Sequence, residues 1–94
     1  MAFTYILTNA TNTVLYIGVT NNLIRRVYEH RTKAIAGFPE RYHLNKLVYY
    51  ESFNDIATAI EREKTLKKWN RDWKERLINE FNPSWRDLYE EICF

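Results

Sequence analysis

The sequence predicts an α+β fold, a small three-stranded antiparallel sheet flanked by helices in the order β-β-α-β-α-α, and three observations carry that prediction. Two β-branched and aromatic runs, residues 3–8 and 14–19, bracket the turn-like Asn9-Ala10-Thr11-Asn12. A third such run stands at residues 47–53. Behind candidate N-caps in Thr20-Asn21-Asn22, in Asn54-Asp55 and at Asn70, the chain then turns to helix-compatible segments. At 94 residues, 46% of them apolar and 16% aromatic, the composition is that of one folded domain spanning residues 1–94. A domain of this size buries about 60 to 65% of its unfolded surface.

Each element has a local cause. The first two runs read as a hairpin. If its loop closes symmetrically, Thr8 pairs with Thr13, Leu7 with Val14, and Tyr5 lies directly across from Tyr16. Thr20-Asn21-Asn22 caps a helix from Leu23 to about Ile35, in which Leu23, Val27 and Ala34 share a face. Gly37-Phe38-Pro39 breaks it, and residues 36–45 read as a loop. After the third strand, Asn54-Asp55 caps a helix to about Trp69, and Asn70 caps another from Arg71 to Phe81, stopped by Pro83. Residues 85–94 read as a short helix or docked segment anchored by Trp85 and Leu88. The three helices must cover the apolar side of the sheet, since no other element is available.

Composition also excludes function classes. No apolar stretch approaches the roughly 20 residues of a membrane span. The start lacks the basic and apolar regions of a secretory signal, which predicts a cytoplasmic protein. The lone Cys93 fits a reducing compartment and rules out an internal disulfide or a cysteine-based zinc cluster. Of the 14 Lys and Arg, all but Arg86 fall in residues 1–76. The run Arg62, Lys64, Lys67, Lys68, Arg71, Lys74, Arg76 outweighs Glu63, Asp72 and Glu75. Such a face either follows a phosphate backbone or is simply a solvated helix.

A few residues break the apolar pattern. On a helical wheel Ile56, Ala59, Ile60 and Leu66 form one arc, with Glu63 near its centre. A carboxylate there must be paired, protonated or facing a cleft where it holds a cation. Lys67, one turn on, offers a plain ion pair. His30 lies beside the Leu23 arc and Arg26 at its border, one turn away. Together they make a titratable ring beside a guanidinium fork, or a core histidine and a snorkelling arginine. Arg25 points outward and can pair with Glu29. Tyr5 and Tyr16 are strand aromatics whose rings can fill a core or stack on bases.

Taken together these residues resemble the GIY-YIG nuclease family, in particular its small stand-alone bacterial members of the UPF0213 group. Tyr5 in Phe3-Thr4-Tyr5 matches the first signature tyrosine, and Tyr16 in Tyr16-Ile17-Gly18, eleven residues on, matches the second. Arg26 and His30 fit the arginine and the helical His or Tyr. Ala59-Ile60-Glu61-Arg62-Glu63-Lys64 looks like the segment carrying the metal-binding glutamate, and Glu63 is the inward of its two acids. Phe3-Thr4 replaces the Gly-Ile of the family name, and Asn79 and Asn82 are the candidates for a terminal asparagine.

The resemblance implies an endonuclease that hydrolyses DNA phosphodiester bonds, in repair or recombination, with Tyr5, Tyr16, Arg26, His30 and Glu63 as its site. It implies one divalent ion, Mg²⁺ or Mn²⁺, held by Glu63. Two ions at about 3.5 to 4 Å would need several clustered carboxylates, and only one inward acid is in view. Arg25, Arg31, Lys33, Arg41, Lys67, Lys68 and Arg71 are the candidate contacts to DNA, whose specificity is structural or supplied by a protein partner. The rival readings are a catalytically silent nucleic-acid-binding module of the same fold, and a partner-binding domain in which Glu63 and Lys67 neutralise each other.

Overall fold

A computed structural model describes residues 1–32 and 43–93. Its elements are β1 (Ala2–Thr8), β2 (Leu15–Thr20), α1 (Leu23–Arg31), β3 (Lys46–Phe53), α2 (Ile56–Lys68), α3 (Arg71–Phe81) and α4 (Tyr89–Ile92). The predicted order and class are those observed. The antiparallel sheet runs β2-β1-β3, with β1 in the middle. The predicted caps form: Asn22, Asp55 and Asn70 accept hydrogen bonds from the backbone N–H of Arg25, Thr58 and Trp73.

Helices cover both faces of the sheet. Tyr5 and Leu7 point to one side and pack with Leu23 and Val27 of α1 and with Leu88. Ile6 and Ile17 point to the other and pack with Leu66 of α2 and Ile78 of α3. The two faces follow from strand alternation, and β1 is nearly all buried because it is central between two covered faces.

Three expectations need correction. The hairpin register is shifted by two residues: Thr8 pairs with Leu15, Leu7 with Tyr16 and Tyr5 with Gly18. The cause is Asn9, whose side-chain oxygen accepts from the N–H groups of Thr13 and Val14 and so ties up residues otherwise free to pair. A shift of two preserves the face of every side chain, so Tyr5 and Tyr16 stay neighbours, diagonally and not directly across. Second, Ile56 and Ile60 are exposed, so the buried line of α2 is narrower than the wheel predicts. The small Ala59 lies against β1, and its carbonyl accepts the buried Thr4 hydroxyl at 2.8 Å. Third, α1 stops at Arg31, short of Ile35, where the Thr32 hydroxyl donates to the Tyr28 carbonyl. Ala34 and most of the predicted loop lie outside the described residues.

The C-terminal segment docks as predicted, on Leu88 and Trp85. Asn82 fixes its path. This buried side chain donates to the carbonyls of Val48 and Arg86 and accepts from the Arg86 N–H. Val48 is the residue that a bulge in the β1–β3 register leaves unpaired. Replacing Asn82 with alanine strands these buried groups and is expected to lower the unfolding free energy by about 2 to 3 kcal/mol, read by urea denaturation. A loss below about 0.5 kcal/mol contradicts this role.

Candidate active site

The site is built around Tyr5, which is 1% exposed. Its ring lies over Gly18 of the edge strand β2: a Cβ at that glycine would sit 2.5 Å from Tyr5 Cζ and Oη. Tyr16 and His30 complete a triangle of rings, with centroids 6.4 Å apart for the tyrosines, 6.0 Å for Tyr5 and His30, and 5.8 Å for Tyr16 and His30. The Tyr5 hydroxyl and His30 Nε2 are in hydrogen-bond contact at 3.2 Å.

Arg26, one turn before His30, borders the same hydroxyl. Burial is the main cause of an ionisation pushed far above the ordinary value at Tyr5, and Tyr16 adds to it. Arg26 opposes the shift as cation and hydrogen-bond donor, and the Glu63 charge raises it further. Tyr5 is therefore a neutral phenol, flanked by a guanidinium and a carboxylate. The structure thus brings Tyr5, Tyr16 and His30 into contact with Arg26 beside them, while Glu63 stands on α2, near enough for its charge to act on Tyr5.

His30 is held neutral. Burial is the first cause of its lowered pKa, the Arg26 charge the second, with Glu29 opposing. Its Nδ1, buried, meets no partner among the described residues, so a second N–H would have nowhere to donate. The unfolded histidine titrates near 6.5 and the folded one lower, so between those values the unfolded chain holds more protons and stability rises with pH. This contribution is complete above the unfolded value and is lost as pH falls through the folded one. Urea unfolding from about pH 7.5 down to about pH 5 is expected to show falling stability in the wild type and a flatter profile in His30→Gln. Equal slopes would assign the fall to another group.

Glu63 is mostly buried, with 20% of its side chain exposed, and pairs with Lys67 at 3.3 Å. Lys67 is 54% exposed, so this partner is solvent-screened and replaceable. Arg62, the neighbouring cation, is committed to Glu51 at 3.0 Å and lies over the Trp69 ring. Thr4 holds Ala59, one turn before Glu63, and so sets where Glu63 stands. Among the described residues no group of three His, Cys, Asp or Glu could cage a metal. One inward carboxylate still suits Mg²⁺, an ion that keeps several waters and would complete its shell with phosphate oxygens. The donor set fits a single ion shared with substrate and not a two-ion centre.

The remaining cations divide. Arg31 is bound to Asp87 and to the Asn45 carbonyl and lies over the Tyr89 ring, tethering α1 to the C-terminal segment. Arg71 donates to the carbonyls of Asn12 and Thr13 and pairs with Glu75, clamping the hairpin loop. Glu29 pairs with Arg26, at 3.6 Å, and not with Arg25. Arg25, Lys67 and Lys68 are exposed, and Lys33 and Arg41 lie outside the described residues. Neither candidate asparagine faces the cleft: Asn82 is buried as described, and Asn79 accepts from the Trp85 indole. Gly18 and Thr4 are the site-building residues that sequence reasoning missed; the Gly of Tyr16-Ile17-Gly18 was in view as a motif letter without its structural cause.

Comparison with known proteins bears on the family and the fold. The model of the GIY-YIG catalytic domain matches residues 1–79. A UPF0213 protein of Clostridium perfringens is 37% identical over 92 residues, covering 98% of each chain. One from Natronomonas pharaonis is 37% identical over 76 residues, covering 81% of this chain and 88% of that one. The solution structure of a UPF0213 protein from Bacillus halodurans superposes with a TM-score of 0.53 at 26% identity, covering 84% of both chains. The chain belongs to the GIY-YIG family, among relatives of the UPF0213 group.

Proposed function

We propose that the chain is an endonuclease that hydrolyses DNA phosphodiester bonds with one divalent ion, Mg²⁺ or Mn²⁺, held by Glu63, in a repair or recombination role. The observation that carries the reading is the Tyr5 hydroxyl in contact with a neutral histidine and bordered by the Arg26 guanidinium, with the Glu63 charge acting on it from α2. When bound, the ion supplies Lewis-acid stabilisation of negative charge on the phosphate. Arg26 orients the phosphoryl oxygens and offsets the charge they gain in the transition state. The attacking water's proton passes to the Tyr5–His30 pair, whose hydroxyl and Nε2 are in hydrogen-bond contact. Tyr5 thus avoids becoming a free phenolate, which its burial disfavours.

The Glu63–Lys67 pair is the observation that favours a silent nucleic-acid-binding module instead. Incubation of the wild type with supercoiled, branched and single-stranded DNA, with and without Mg²⁺, separates the two. Cleavage that depends on Mg²⁺ is expected on at least one substrate. Salt-sensitive binding with no cleavage of any of them would establish the silent module.

A further inference from the structure

We propose that the groove lined by Leu15, Tyr16, Ile17, Lys67 and Lys74 binds the phosphate backbone of the DNA strand as it leaves the cleft, with Lys74 as its principal cation. The proposal rests on DNA as the substrate of that cleft. Continuity is the first argument. Tyr16 belongs both to the ring triangle and to this groove, and Lys67 joins the groove to Glu63.

Charge is the second argument. Lys74 is half-buried on α3, and among the described residues no carboxylate lies within ion-pair reach of it. A phosphate oxygen in the groove would supply the counter-charge that this lysine lacks. Within the basic run Arg62 is held by Glu51, and Arg71 by Glu75 and the hairpin carbonyls, while Lys64, Lys68 and Arg76 do not line this groove. Leu15 and Ile17 give the groove an apolar side next to its two lysines.

The test is fluorescence anisotropy on labelled duplex and single-stranded DNA without divalent metal, across a series of salt concentrations. Lys74→Ala is expected to weaken binding by a similar factor on different sequences and to make the slope of log affinity against log salt shallower by about one. Lys74→Arg restores the slope, and Lys74→Glu weakens binding further. Lys64→Ala, an equal charge loss on α2 outside the groove, leaves the slope unchanged. A wild type that binds and cuts DNA, with Lys74→Ala and Lys64→Ala indistinguishable, overturns the groove alone. A wild type that fails to bind any DNA at low salt overturns both the groove and the nuclease reading.

Discussion

Gly18→Ala is expected to destabilise the fold by about 3 kcal/mol and to abolish cleavage, although it adds one methyl group to an edge strand. That methyl would stand 2.5 Å from Tyr5 Cζ and Oη and 2.9 Å from Cε1. Tyr5 cannot yield, because its ring is fully buried against Tyr16 and His30 and its hydroxyl meets His30. Tyr5→Phe leaves Cζ in place and gives no relief. In Tyr5→Leu the far end of the ring is gone, so the double variant Tyr5→Leu/Gly18→Ala should be more stable than the sum of its single changes allows, by at least about 1 kcal/mol. Additive losses in urea unfolding would show that the glycine is not there for the tyrosine.

Glu63→Gln is expected to lower Mg²⁺-dependent cleavage on the order of a thousandfold, the range associated with losing a main electrostatic stabiliser of the transition state. The substitution keeps shape and removes charge. Lys67 loses its partner but is exposed, so the unfolding free energy should shift by less than about 1 kcal/mol. DNA binding in the absence of metal should hold or strengthen, since a carboxylate facing phosphates has been neutralised. Wild-type cleavage rates in this variant would remove Glu63 from the reaction, and collapse of the fold would recast it as a structural ion pair.

Much of this was legible in the sequence because it depends on local periodicity and capping. Asn22, Asp55 and Asn70 mark their helix starts by side-chain chemistry alone. His30 and Glu63 stand out because polar side chains occupy inward positions, and the structure places both inward. What escaped depends on contacts far apart in the chain. The hairpin register was decided by the Asn9 side chain, which strand alternation does not reveal. Ile56 and Ile60 are exposed because the tilt of α2 is set by Ala59 on Thr4, a contact across 55 positions. The charge run at Arg62 to Arg76 looked like one basic face, yet Arg62 and Arg71 serve the fold. Lys74 is distinguished from Lys64, Lys68 and Arg76, which likewise show no ion pair among the described residues, by lining the groove beside Tyr16.

Thr4 gives the departure from the family's Gly-Ile a physical meaning. Its hydroxyl donates to the carbonyl of Ala59, so the residue before the first signature tyrosine also sets the helix that carries Glu63. Two sides of the cleft are thereby fixed by adjacent residues of β1, with Tyr5 holding the ring triangle and Thr4 the carboxylate helix.

The central claim is that Tyr5, Tyr16, Arg26, His30 and Glu63 form one cleft that takes a phosphate and a single divalent ion. Anomalous diffraction from a crystal grown with a cleavage-resistant DNA strand and Mn²⁺ tests it most directly. The account predicts one Mn²⁺ peak on the Glu63 carboxylate, with a DNA phosphate beside it facing Arg26 and the Tyr5 hydroxyl, and Lys67 released from Glu63. Two ions in the cleft, or DNA bound elsewhere with the Glu63–Lys67 pair intact and no ion upon it, would contradict it.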